Sequence, residues 1–542
     1  MPLEALRHGT ETKAKKTAES SEYDHASVRQ LLQALVPLKK ELPPEGARIT
    51  VHAAVSRFSV LYERIRNAVD YREDHLLRKG AIQRILNRQL VLESDPFVIA
   101  NGLIRELIGA KYLPNGELSD TLIDRAALCI RKYQAVVRTR AGKDRNHRWL
   151  LGVISAELEE TLVDQTKEKA LTTFLYERLA DKIGVKGSRL DDNERRLQIY
   201  VAISRSLFKT DEETAGYKLL RAYLPEWQRP EEWLEAARPI AERLVALQIR
   251  IQERLRHPLA QRFQKAVKPW AVSLLVLTEA LTKEKNKEEM LSSVSDTHKA
   301  VAEIAEEREN EARAKLRRGT IRAMVYLFLT KMIFALVIEL PVELYLYKEI
   351  SYRALAINLG FPPVLMFFVG AFIRRPGQEN RRRIVQGVDE LLNGTVPAQE
   401  IRVPRKRSGA TLFVMRIFYT IAFAASFGIT GFILYQLEFT WIATLIFFFF
   451  LCVVSFFGYR LRLAAREIVV VQPHERLSTT IIDFFSLPIL RVGQWLSVTV
   501  SRLNVFVFLF DFLFEAPFKL FLAILEDWFS FIKEKKEELT DR

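Results

Sequence analysis

The residues with the most chemical potential lie where charge is least welcome. Lys331, Glu339 and Glu343 fall inside the apolar run Met324–Leu346, with Pro341 between the two acids. An ionisable side chain at membrane depth is costly unless it is paired or wetted, which makes it a functional candidate by default. Glu339 and Glu343 are one helical turn apart and share a face. Lys331 lies two turns earlier, rotated by about 80° at 3.6 residues per turn. The set reads either as a polar lining for an ion or proton path, or as structural groups. In the second reading Lys331 and Glu339 meet polar groups on neighbouring helices and Glu343 reaches the outer surface. Asn358, ahead of Pro362-Pro363, would cap a broken helix beside a cavity. Glu339-Leu-Pro-Val-Glu343 has an echo in Glu515-Ala-Pro-Phe-Lys519, where each proline would free a carbonyl.

The elements that must position these residues are apolar runs: Met324–Leu346, Ala354–Ile373, Leu412–Leu437 and Trp441–Tyr459. Each is near the roughly 20 residues a helix needs to cross ~30 Å of hydrocarbon. Ile446–Leu451 is too apolar all round for a one-sided surface helix. Arg374, Arg375, Arg381, Arg382, Arg383, Arg405, Lys406 and Arg407 crowd the connection between the second and third runs. The connections around Lys348–Tyr352 and Gln436–Thr440 are short and nearly neutral. The positive-inside rule then puts both termini and the Arg-rich connection in the cytoplasm. Those eight basic residues are expected to meet lipid headgroups of an anionic inner leaflet.

Composition excludes several classes. The net charge of +15 gathers largely beside the runs, which fits a membrane surface better than nucleic acid, and no nucleic-acid reader motif occurs. Cys129 and Cys452 are too far apart in sequence to suggest a disulfide framework or a Cys-based metal site. The histidines are scattered, so neither a metal nor any other cofactor is expected. Gly184-Val-Lys-Gly-Ser188 lacks phosphate-loop spacing and reads as a helix-ending turn. His75, beside Glu73 and Asp74, reads as part of a solvated helix face. No catalytic residue is nominated, and an enzyme is the poorest-supported class.

Taken in order, the chain reads as an all-α polytopic membrane protein with four transmembrane helices. Residues 1–26 form a polar tail. A large N-terminal cytoplasmic helical domain follows over 27–282, punctuated by turns at Pro43–Gly46, Pro114–Gly116 and Arg229–Glu231, with no period-two stretch long enough for a sheet. Residues 283–320 read as a helical stalk, with Leu291, Val294, His298, Val301 and Ala305 as a short coiled-coil seam and Gly319 as a flex point. The transmembrane region covers 321–462. Ile384, Val388, Leu391 and Leu392 suggest a short helix between spans two and three, closed by Asn393-Gly394. Residues 463–542 read as an amphipathic, Phe-rich interfacial tail in which Asp511, Glu515 and Lys519 form a polar stripe. An interfacial helix is favoured there over a fifth span across 503–525, because a charge at the bilayer centre costs at least about 2.5–3.5 kcal/mol.

The function expected from this layout is a membrane-anchored interaction protein. It would display its helical domain to a protein partner, or to itself through the domain and stalk. An oligomeric channel or transporter subunit built around the first span is the alternative, and a membrane-remodelling protein acting through its tail is the third reading. The N-terminus carries no cleavable signal pattern, and with the cysteine usage this points to a bacterial cytoplasmic membrane.

Overall fold

The computed structural model describes residues 25–35, 48–51, 73–139, 147–187, 190–228, 237–346, 352–371, 377–403, 408–465 and 477–502, with isolated positions 44, 59, 60, 63, 470, 524, 528, 531 and 532. The chain is mostly helical, and four of its helices are long and apolar enough to cross a membrane. It divides into two compact units. The first comprises Met1–Ser292, Gly387–Val403 and Phe510–Arg542; the second comprises Ser293–Gln386 and Pro404–Leu509.

The first unit is built from helices whose apolar residues recur every three or four positions. α1 (His25–Leu35), α2 (Asp74–Leu92) and α3 (Pro96–Gly109) open it. Asp95 caps α3 by accepting from the Phe97 amide at 2.9 Å, and Pro96 begins the helix where no N–H is needed. Ile99, Leu103, Ile104, Leu107 and Ile108 of that helix are buried. They join a core with α4 (Thr121–Thr139), α5 (His147–Leu162), α8 (Glu212–Tyr223) and α9 (Ala237–Leu255), into which Trp227 of the turn Pro225–Gln228 also packs. A second set of packed helices is α6 (Thr166–Leu179), α7 (Asp192–Phe208) and α10 (Ala260–Lys283). The short α11 (Lys287–Ser292) ends the continuous part of the unit.

This unit contains a sheet the sequence reading did not expect. Ile183–Lys186 is a strand, β1, and not part of a helix-ending turn. It pairs in parallel with β2, Gln399–Arg402, in the register Ile183↔Gln399 to Lys186↔Arg402. The Gln399 amide donates to the Lys182 carbonyl at 2.8 Å, and the Val403 amide to the Lys186 carbonyl at 3.2 Å. Helix α15 (Gln378–Leu392) precedes β2, and its part from Gly387 onward also belongs to the first unit. Val388, Leu391, Leu392, Val396 and Ile401 are all buried. Asn393-Gly394 ends α15, with Gly394 at φ +67°, a conformation glycine adopts without steric cost.

In the second unit Ser293 caps the long helix α12 (Val294–Phe334), which runs through Gly319 without a break. Thr297, Val301, Ile304, Ala305 and Glu309 form its buried stripe, whereas Val294 is exposed and His298 half-buried, so the burial departs from the expected seam. A π turn, Ala335–Glu339, leads into α13 (Leu340–Leu346). α14 (Tyr352–Ala371) is continuous through Pro362 and Pro363, so the broken helix expected at Asn358 does not occur. α16 (Gly409–Gln436) and α17 (Trp441–Ala465) are the third and fourth candidate spans.

The last described helix of this unit, α18 (Leu477–Arg502), packs on α16 and α17. Ser426 Oγ lies 2.8 Å from the Phe485 carbonyl, within hydrogen-bonding reach, and Arg491 lies over the Tyr419 ring at 5.7 Å. Gly493 approaches the Cys452 carbonyl so closely that a Cβ there would overlap it. Ser426 and Cys452 belong to two of the helices apolar enough to cross a membrane.

Candidate functional site

The site is assembled in the second unit from the first span upward. Pro341 supplies no N–H to the carbonyl one turn before it, and its ring crowds that carbonyl. The helix widens just ahead of it: the Leu340 amide donates to the Ala335 carbonyl, an i→i+5 bond. One such turn takes up about one extra residue, or about 100° of rotation. The separation between Lys331 and Glu339 therefore shrinks from about 80° in a regular helix to about 20°. Their side chains meet, Nζ to Oε2, at 3.2 Å.

Two other helices, α14 and α17, close around the pair. Asn358 of α14 donates from Nδ2 to Glu339 Oε1 at 2.5 Å and to the Ala443 carbonyl of α17 at 3.4 Å. The Lys331 ammonium lies 4.8 Å from the centre of the Phe450 ring, a cation–π contact. Phe334 stacks on Phe449 and meets Phe450 edge-on, which fixes the chain at the start of the π turn. Glu343, one turn beyond Glu339, faces the first turn of α17, where Thr440 Oγ1 lies 3.4 Å from its Oε1 and accepts from the Ala443 amide at 3.2 Å. Lys331 and Glu339 are 0% exposed and Glu343 and Asn358 are 1% exposed.

Chemically this is a buried network of paired groups. Glu339 has a partner on each oxygen, and its charge is matched by Lys331. Asn358 Oδ1 is buried without a hydrogen-bond partner among the described residues. Pro362 and Pro363 provide no N–H for the Asn358 and Leu359 carbonyls, so the polar side of α14 is richer in acceptors than in donors. The structure thus brings Lys331 and Glu339 together and sets Glu343 beside Thr440. Sequence reading gave Asn358 a capping role and missed Thr440 and Phe450, because neither type is unusual in an apolar run.

The remaining nominated residues are distributed differently. Arg381 is held by Glu306 at 2.8 Å and Glu309 at 3.2 Å, while Arg382 is exposed and Arg383 half-buried. Arg374, Arg375, Arg405, Lys406, Arg407, Asp511, Glu515 and Lys519 lie outside the described residues. An aromatic collar went unremarked in the sequence: Tyr345, Tyr352, Tyr435 and Trp441 are 85%, 74%, 76% and 66% exposed. All lie at the ends of spans joined by the two short connections, the placement typical of residues at a membrane interface.

The first unit holds its own buried charges. Lys132 pairs with Glu157 and donates to the Trp227 carbonyl at 3.0 Å, while Trp227 Nε1 donates to Glu157 Oε2 at 2.9 Å. Lys79 bridges Asp211 at 2.5 Å and Glu213 at 3.1 Å. Burial works to raise the Asp211 carboxyl, but Lys79 and the Thr214 amide outweigh it and hold it below its usual value. For Glu160 burial is likewise outweighed, here by Arg221 and Lys169. Burial pushes the Cys129 thiol up to about 12, with Glu157 adding to the effect, which makes it a poor nucleophile. His75 is half-buried, not on a solvated face, and burial lowers its pKa although Glu159 and Glu73 oppose this. Among the described residues no group of three or more His, Cys, Asp or Glu is placed to hold a metal ion. In comparisons with protein families, curated proteins and solved structures, nothing matches this chain.

Proposed function

We propose that the chain is a membrane-anchored interaction protein whose first unit is displayed to a protein partner from the cytoplasmic face of a bacterial inner membrane. The observation that carries this reading is the corner between α2 and α3, where Val91, Leu92, Phe97 and Val98 stand exposed together. Several large apolar side chains exposed at one corner of a folded unit favour a contact site there. Exposed Glu93 and Asp95 lie at the same corner, which disfavours an anionic lipid surface and favours a protein carrying basic residues around an apolar patch.

The path of the chain supports display on one side of a membrane. The chain leaves the first unit after Ser292, passes through two candidate spans, and is back in that unit at Gly387. The β1–β2 pair supports an even number of crossings between its strands, as the charge distribution of the connections also suggests.

The test is capture of partners from mildly solubilised membranes by the full-length protein, beside a Leu92→Glu/Phe97→Ser variant. The expected result is a stoichiometric protein partner, or a second copy, that the variant loses. Absence of any associate in both samples counts against the reading. A conducting subunit remains the second reading because Lys331, Glu339 and Asn358 cluster inside the span region. Ion flux through proteoliposomes that Glu339→Gln alters would favour it.

A further inference from the structure

We infer that the π turn of the first span is a two-register switch, held in its present register by the Lys331–Glu339 pair. Three observations meet at this turn. The pair straddles it, with Lys331 before and Glu339 at its end, and geometry permits the 3.2 Å contact because the turn supplies its extra residue. The residues that bulge there, Leu336, Val337 and Ile338, are exposed and apolar, so lipid chains yield to their rearrangement. Pro341 follows directly and withholds the N–H that would otherwise favour a regular α turn.

The alternative register follows from helix arithmetic. If the turn closes to α, one residue is displaced toward the end of the helix, and the segment from Glu339 on rotates by about 100°. Glu343 then leaves Thr440, and Glu339 leaves Lys331 and Asn358. The Lys331 ammonium keeps its Phe450 face, because both lie outside the rotating segment. In that register the two carboxylates need water or a dissolved cation in place of Lys331. The network is thereby the latch of the turn, and the turn is the hinge that opens the network.

The experiment uses the full-length chain in lipid nanodiscs, with Cys129→Ser and Cys452→Ala removing the native thiols. Glu343→Cys with Thr440→Cys reports the register beyond the turn. Phe334→Cys with Phe450→Cys reports the packing before it. With the Lys331–Glu339 pair intact, both reporters should form disulfides rapidly under mild oxidation. Adding Lys331→Met, or Glu339→Gln in a second protein, should slow the 343–440 reporter by about tenfold as the paired register becomes minor, and leave the 334–450 reporter unchanged. Deleting Val337 removes the extra residue, so the turn closes to α with Lys331 and Glu339 still about 20° apart in direction; added to Lys331→Met, this deletion should return the 343–440 reporter to its rapid rate. An unchanged 343–440 rate in both Lys331→Met and Glu339→Gln overturns the switch, and so does a rate that stays slow when Val337 is deleted from the Lys331→Met protein. A parallel loss of both reporters also overturns it, because that signals general loosening and not rotation.

Discussion

Two buried lysine–glutamate pairs, one in each unit, are built from nearly the same parts. In the first unit Lys132 meets Glu157 with its ammonium 4.5 Å from the Trp227 ring. In the second, Lys331 meets Glu339 with its ammonium 4.8 Å from the Phe450 ring. Each carboxylate receives a second donor, from the Trp227 indole at 2.9 Å or the Asn358 amide at 2.5 Å. The difference is in where the parts come from. Lys132, Glu157 and Trp227 lie on three separate elements, so that pair fixes a tertiary arrangement. Lys331 and Glu339 lie on one continuous helical segment, so that pair fixes the register of a single turn. A buried ion pair stabilises chiefly what would have to move to separate it.

Breaking one partner is the severest test of this contrast. Lys132→Met and Lys331→Met should each cost about 3–5 kcal/mol by stranding a buried carboxylate. Removing both charges should then separate the pairs. Lys331→Met/Glu339→Leu should regain most of the loss, since little remains unpaired except Asn358. Lys132→Met/Glu157→Leu should regain less, because the Trp227 indole N–H and carbonyl both lose partners. Thermal unfolding of the purified full-length proteins in one detergent reads this, and equal recovery in the two units would contradict the contrast.

A narrower cut removes only the second donor. Trp227→Phe keeps the ring over Lys132 but deletes the hydrogen bond to Glu157, with an expected cost of about 2 kcal/mol. Asn358→Leu should cost about 1 kcal/mol, because it also removes Oδ1, a buried acceptor without a hydrogen-bond partner among the described residues. If Asn358→Leu proves the costlier change, Asn358 is holding more than Glu339.

The contrast also explains what could be read from the chain beforehand. The four helices long and apolar enough to cross a membrane were legible because length and apolarity alone define them, and no tertiary contact is needed to see that. Lys331, Glu339 and Glu343 stood out because charge is conspicuous in an apolar run. Their pairing was hidden, since an eight-residue separation predicts an 80° offset until a π turn is known. Lys132 and Glu157 were invisible for the opposite reason: in a charged helical domain nothing marks them off, and Trp227 arrives from a distant turn. β1 was missed because four residues carry too little alternation to register and its partner strand lies beyond two spans.

The titrating groups of the first unit give a smaller effect. Burial lowers the His75 pKa, so the folded state prefers the neutral ring. The stabilising contribution of this neutral ring is complete above the unfolded value of 6.5 and is lost as pH falls through the lower folded value. Asp211 and Glu160 follow the same sign further down, beginning below 3.8 and 4.5 respectively. Hydrogen exchange at α2 and α8 should therefore quicken in two acid steps, and His75→Phe should erase only the first. Survival of the first step in this variant would remove His75 from the account.

The smallest expected effect compares two serines. Ser155 in the first unit donates to the Leu151 carbonyl of its own helix at 2.7 Å, a bond that restates one the helix already makes. Ser426 in the second unit has the Ala422 carbonyl of its own helix at 2.7 Å and the Phe485 carbonyl of α18 at 2.8 Å. A hydroxyl has one proton to give, so the choice between these acceptors decides whether it joins two helices. Hydrogen bonds between membrane helices average about 0.6 kcal/mol, and Ser426→Ala should cost about that much if Phe485 receives the proton. Ser155→Ala should be close to neutral. A near-zero cost at Ser426 would mean that the close approach of Gly493 to Cys452, and not this hydrogen bond, seats α18 on the spans.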